Sequence, residues 1–356
     1  MTGKKIQIGV PRALGYYDYH AFWEAFFGAL GVETVLSGPT TKHLVDLGVG
    51  AAIDEVCLPV KVFYGHARAL MERDDLDFIF LPRLVSVERR SFICPKFMGI
   101  PDMIRVNLSP ETPLLDVCVD MSRGPAGLRR AAVEVGERLG VGQRRALGAL
   151  RVACGVWRDG VAASGANRPQ CRPRQQFGRR DIPGGRAWSG RSEGRPAGPA
   201  GSGGEPALNL LTLGHAYNLD DPYTSLGLGD HLRELGCQVW TLEDFPPSSL
   251  DEAIAGLPRH LFWTSGRRIL AAARHAVRHH CVDGIVHLVS FGCGPDSLVG
   301  EMVQRETLRR GGMPFLLLTI DEHSGEAGLL TRLEAFVDMI RRRGAAAPQG
   351  DGRQPA

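Results

Sequence analysis

Short apolar runs alternate with longer stretches of helical period through the first 150 residues. Lys5 to Val10 predicts a strand, Ala21 to Leu30 a helix with Phe22, Trp23, Phe26 and Phe27 on one face, and Val32 to Leu36 a second strand. Asp77 to Leu81 predicts a third, buried strand, and Met103 to Leu108 a fourth. Strand alternating with helix makes a parallel sheet covered on both faces. Residues 1–150 therefore read as an N-terminal α/β lobe.

The pattern breaks at Arg151. No leucine occurs between Arg151 and Ala207, where Gly, Pro, Arg and Ala dominate. Such a segment cannot bury enough apolar area to offset its ordering entropy, so 151–206 is expected to be a disordered or aberrant linker. Compact domains rarely carry so long a structureless insert. Text of this composition is what a GC-rich gene yields when translated out of frame, and a compensated frameshift replacing a helical connector is our hypothesis for it. Resequencing tests it; the same unbroken frame in close relatives would dispose of it. Order returns at Leu208, giving a C-terminal lobe over 207–343 and a disordered tail at 344–356.

The second lobe repeats the first. Gly9 and Gly31 bracket a strand, a polar loop, a helix and the turn Leu30-Gly31-Val32; Gly214 and Gly236, at the same spacing, bracket the same elements and the turn Leu235-Gly236-Cys237. Farther on, an acid-started strand in each half leads to Ser-Phe-x-Cys, at Ser91 to Cys94 and at Ser290 to Cys293. Two matches at corresponding places argue for a duplicated α/β lobe with parallel sheets. Ligands of open α/β sheets sit beyond the carboxyl ends of the strands, so facing lobes would bring Cys94 and Cys293 towards one cleft.

Composition narrows the function. The chain has 356 residues, 44% of them hydrophobic, which is enough for two cores, and a formal charge of only +3. A nucleic-acid surface is not indicated, because many of the arginines lie in the aberrant segment. The start of the chain lacks the apolar core and cleavage site of a signal peptide, and no stretch reaches the length of a membrane span. The expected compartment is the cytoplasm, where eight cysteines are better read as ligands, nucleophiles or buried small residues than as disulfides.

Three cysteines stand apart. Cys57 lies in Glu55-Val56-Cys57-Leu58-Pro59, Cys94 in Ile93-Cys94-Pro95-Lys96, and Cys293 in Gly292-Cys293-Gly294-Pro295-Asp296. Glycine lets backbone N–H groups approach sulfur and proline stiffens the loop, which suits an iron–sulfur site. Cys118 and Cys237 fall in strand-like runs, Cys281 follows His279 and His280, and Cys154 and Cys171 lie in or beside the aberrant stretch. The competing readings are buried small hydrophobes, a structural zinc, which usually has a close C-x2-C pair that is missing here, and a catalytic thiolate at Cys293.

Further candidates sit in strand-to-helix turns: Arg12 and Tyr16 in lobe one, Asn218 and Asp221 in lobe two, and Glu322 and His323 before the last helix. All six are expected to face substrate, against a plain reading as loop-shaping or capping residues. Lys61 and His66 follow Cys57 on an expected helix, as a solvated face or as outer support for the cysteine.

Together, IGVPRALGYYDYHAFWEAFFGALGVE, DEVCLPVKVFYGHA, ERRSFICPKFMGIPD, LGHAYNLDDPY, SFGCGPDSLVGE and LLTIDEHSGEAGLLTRLEAFVDM resemble the acyl-CoA dehydratase activase-related (DUF2229) family. That family is similar to the iron–sulfur subunits of 2-hydroxyacyl-CoA dehydratases and benzoyl-CoA reductases. The resemblance covers roughly residues 4 to 140 and 207 to 342. It implies a [4Fe–4S] cluster held between Rossmann-like lobes by Cys57, Cys94 and Cys293, with one iron left open. It further implies a partner, an ATP-dependent activase of the ASKHA type, that supplies low-potential electrons for reduction or dehydration of an acyl-CoA-type substrate. The alternative is a cluster-bearing scaffold or electron-transfer partner with no substrate. The chain has no G-x-x-x-x-G-K-[ST] loop and is expected to receive electrons, not to hydrolyse ATP.

Overall fold

The computed structural model describes residues 5–166, 208–309 and 312–346. In lobe one the order is β1 (Gln7–Val10), α1 (Gly15–Leu30), β2 (Glu33–Leu36), α2 (Lys42–Ala51), α3 (Leu58–Met71), β3 (Phe78–Phe80), β4 (Arg83–Ser86), α4 (Pro95–Leu108), β5 (Leu114–Leu115), β6 (Cys118–Asp120), α5 (Ala126–Arg138) and α6 (Gln143–Ala166). Lobe two runs β7 (Leu208–Leu213), α7 (Ala216–Leu219), α8 (Leu228–Glu234), β8 (Cys237–Trp240), α9 (Pro247–Ile254), α10 (Thr264–His279), β9 (Gly284–Ser290), α11 (Gly294–Arg309), β10 (Phe315–Ile320) and α12 (Glu326–Ala346).

Each lobe is a four-stranded parallel sheet, ordered β2-β1-β3-β5 in the first and β8-β7-β9-β10 in the second. Taken in order along each lobe, the strands occupy the same four places. In lobe one the third and fourth strands are interrupted near Pro82, yet Ile79 pairs with Leu114 and Arg83 with Cys118 in one unbroken offset, so β4 and β6 continue β3 and β5. Duplication extends to single bonds. Asp77 takes the Gln7 amide (2.8 Å) and Asp283 takes the Asn209 amide (2.9 Å), each acid fastening the third strand to the first. Arg145 caps the Leu30 carbonyl ending α1, and Arg341 caps the Leu235 carbonyl ending α8.

Two expectations need correction. Met103 to Leu108 is not a strand but the end of α4: its buried residues Phe97, Ile100, Pro101 and Ile104 follow the helical period, and Val106 faces out. The first lobe also does not stop at residue 150. Helix α6 runs on to Ala166, and beside buried Ala146, Ala149 and Leu150 it sets Ala153 against α1, with Trp157 near the Tyr19 ring (5.9 Å). Alanine and small side chains suffice for close helix packing without leucine. The remainder of the expected linker, 167–206, and most of the tail lie outside the described residues.

Helices α2 and α3 cross glycine on glycine. A Cβ at Gly48 would overlap the Lys61 carbonyl, and one at Gly65 the Leu44 carbonyl. This contact fixes where α3 begins, and hence where Cys57 sits. The buried residues of lobe one and of one sheet face of lobe two form one continuous core that includes Cys57, Tyr217 and Cys293. No helix among the described residues is long and apolar enough to cross a membrane.

Candidate metal centre

Each of the three singled-out cysteines stands at the start of a helix. Cys57 is the N-cap of α3, Cys94 the N-cap of α4, and Cys293 immediately precedes α11. The neighbouring prolines are first-turn residues of these helices, where their missing N–H costs nothing. Gly292 takes a left-handed φ of 73°, which turns the chain from β9 into α11 and lays it against the Cys57 backbone.

The helices bring the thiols into one place. Cys293 feels the charge of both Cys57 and Cys94, and Tyr217 feels all three. Burial pushes each thiol's pKa up. Against it act amides of each thiol's own helix: Val60 on Cys57, Lys96 and Phe97 on Cys94, and Asp296 on Cys293. Burial is the larger effect, so each thiol's pKa stays above its ordinary value although each sulfur sits at a helix N-terminus. The three sulfurs do not all lie within 4.8 Å of one another. A single zinc would hold its sulfurs about 3.8 Å apart, from a Zn–S bond of about 2.3 Å.

Among the described residues, donor atoms of His215, Cys293 and Asp296 all lie within 4.8 Å of one another. His215 Nε2 lies 2.9 Å from an Asp296 carboxylate oxygen. Burial works against the charged form of each, yet their mutual attraction wins: the His215 pKa is raised and the Asp296 carboxyl is held below the usual carboxylate range. His215 also stacks on Tyr217 (4.8 Å, 11°), and Tyr217 leans on Phe97. Behind Asp296, burial lowers His287 to about 4. A pocket of about 400 Å³, counted with its mouth, opens beside Cys94 and is lined by Asp18, Tyr19, His215, Tyr217 and Trp263 among others. Burial pushes the Asp18 carboxyl up to about 6.

The six expected substrate-facing residues fare differently. Asp221 is 1% exposed and fully engaged: one oxygen accepts from the Tyr17 hydroxyl (2.8 Å) and from Thr40, the other from the amides of Tyr223 and Thr224. It joins the lobes. Glu322 likewise pairs with Lys61 across the lobes, which holds its carboxyl below the usual range despite burial. Asn218 is buried and accepts from the Ser290 hydroxyl (2.9 Å), bracing the strand that leads to Cys293. His323 is exposed and helps shape the Asp321 turn. Arg12 lies over the Tyr16 ring at 5.8 Å, and Tyr16 lines a separate, mainly apolar cavity of about 530 Å³ in lobe one. None of the six lines the pocket beside Cys94.

Sequence reasoning passed over His215, Tyr217, Asp296, Asp18 and Trp263. Two signals were available: His-Ala-Tyr-Asn follows β7 as Arg-Ala-Leu-Gly follows β1, and Asp296 sits one turn into the helix that Cys293 begins. Cys118 and Cys237 do lie in strands, β6 and β8.

No curated protein matches the chain. The description that does match is that of the CoA enzyme activase uncharacterised domain (DUF2229), over residues 7–245, two thirds of the chain. The match runs through the whole of lobe one, Cys57 and Cys94 included, and into the His215–Tyr217 turn of lobe two, so this chain belongs to the DUF2229 family of CoA enzyme activase domains.

Proposed function

We propose that Cys57, Cys94 and Cys293 hold a [4Fe–4S] cluster between the lobes, and that the chain accepts low-potential electrons there from an ATP-dependent activase to reduce or dehydrate an acyl-CoA-type substrate. The observation that carries this reading is that three thiols, each at the N-terminus of a different helix, all act electrostatically on one buried phenol, Tyr217. The residues present fit the group: all three donors are soft sulfurs, and amides of their own helices act in favour of thiolate. Such a cluster supplies one-electron chemistry and, with three ligands, an iron open to a further donor.

The chain's own residues do the rest. Cys57 and Cys293 are buried and Cys94 half-buried, which limits the access of water to the sulfurs. The His215–Asp296 pair orients Tyr217 through the ring stack and fixes the first turn of α11 beneath Cys293. The pocket beside Cys94 favours a substrate-bearing role over relay alone, since a relay needs no chamber at its metal.

The test is anaerobic. With activase, ATP and a panel of acyl-CoA thioesters, the reading expects bleaching of cluster absorbance on ATP addition and re-oxidation by at least one thioester with product formed. Bleaching without re-oxidation by any thioester would leave the electron-transfer reading in its place, and no bleaching would refute both.

A further inference from the structure

The duplicated lobes make a prediction about symmetry that the cysteines break. In lobe one the helix before the third strand, α3, is capped by Cys57; in lobe two the equivalent helix, α10, is capped by Trp263. The equivalence does not rest on helix ends alone. Asp77 and Asp283 fasten the third strand to the first in the same way, and Cys57 precedes Asp77 by the same 20 positions as Trp263 precedes Asp283. Cys94 and Cys293, each starting the helix after the third strand, form the other related pair.

The contacts agree with this pairing. The loop before Cys293 lies against Cys57, through Gly292. Correspondingly, the loop before Cys94 lies against Trp263: Phe92 donates its amide to the Phe262 carbonyl (2.6 Å) and accepts from the Thr264 amide (3.0 Å). At the start of α10, Gly266 packs on Val299 of α11. By the lobe symmetry Trp263 is the counterpart of Cys57 as Cys94 is of Cys293, and it walls the pocket that also touches Cys94, His215 and Asp18.

Resting on the cluster reading above, we propose that Trp263 stands where lobe symmetry would put a fourth cysteine, and that it keeps the fourth iron free of a protein sulfur and open to the pocket. The ligand class that fits is a small molecule with one lone-pair donor atom. It would be held between aromatic faces and able to hydrogen-bond to a carboxyl or imidazole, as Asp18 and His215 provide. Binding is coordination only: a lone pair bonds to iron and no electron is transferred.

The test compares wild-type protein, Trp263→Cys and Trp263→Ala, each full-length and anaerobically reconstituted, with cyanide as the probe and the electron paramagnetic resonance spectrum of the reduced cluster as the readout. Iron is counted first, and a wild-type chain without iron would refute the cluster reading and this one with it. Given iron, wild type and Trp263→Ala are expected to change spectrum on cyanide addition, while Trp263→Cys keeps its iron and does not respond. A response in Trp263→Cys equal to that of wild type, or none in wild type, would overturn the assignment while leaving the three-cysteine cluster intact. The alanine variant shows whether the loss belongs to the new sulfur or to removal of the indole.

Discussion

At the scale of single residues, the most complete arrangement is the hydrogen-bond chain through His66. Asp221 accepts from Thr40, so the Thr40 oxygen is left to accept from His66 Nε2–H, and His66 Nδ1 accepts from Ser37, whose oxygen takes the Arg12 amide. The chain is satisfied only with a neutral imidazole, and burial accordingly lowers His66 to about 4. The unfolded chain, with an ordinary histidine near 6.5, binds the proton more readily. Stability from neutral His66 is therefore complete above about pH 6.5 and lost as pH falls towards 4. Between pH 7 and 5 this amounts to about 2 kcal/mol. Urea denaturation of wild type and His66→Gln at both pH values checks it: the variant is expected to lose about 2 kcal/mol less on acidification, and equal losses would rule the histidine out.

The same scale shows what sequence could carry. Proline or glycine within two positions of Cys57, Cys94 and Cys293 was readable, and it marked helix first turns. Asp221 and Glu322 looked like substrate contacts because loop acids after strands often are. Their real partners, Tyr17 and Lys61, lie in the other lobe, hundreds of positions away, and no local pattern reports them. Trp263 was missed for the same reason, since Phe92 beside it comes from the other lobe, and His215 because its partner Asp296 lies 81 positions away in its own lobe.

At the scale of elements, the β1-α1-β2 order and the buried third strand were legible from apolar runs, since strands buried on both faces need nothing but apolar residues. Met103 to Leu108 misled because six residues of mixed polarity fit either period. The crossing of α2 on α3 has a sharp consequence. Gly65→Ala would drive a methyl group into the Leu44 carbonyl, and a loss of about 3 kcal/mol is expected in denaturation. Gly50→Ala, on α2 but facing open space, serves as the control and is expected to be neutral or to stabilise by up to about 1 kcal/mol. Equal effects of the two would show that the close approach does not set the helix position.

At the scale of the whole molecule, the lobes are held as one body by the shared core and by part-buried polar links: Tyr17 and Thr40 to Asp221, Lys61 to Glu322, and Arg267 to Glu88 (2.6 Å). Tyr17→Phe removes one donor from a buried carboxylate, and a loss of about 1.5 to 3 kcal/mol is expected from denaturant midpoints. A change under 0.5 kcal/mol would mean that the junction is wet or dispensable. The duplication was legible as two Ser-Phe-x-Cys runs, but the facing of the lobes, which lays the loop before Cys293 against Cys57, is a tertiary fact.

That site is tested most directly by metal analysis of protein purified without oxygen. The account predicts about four irons and four sulfides per chain in wild type and in Cys118→Ala, and near none in the Cys57→Ala, Cys94→Ala, Cys293→Ala triple variant, with the fold of all three preserved by circular dichroism. A wild-type protein that takes up no iron on reconstitution, or a triple variant that keeps it, would contradict the account.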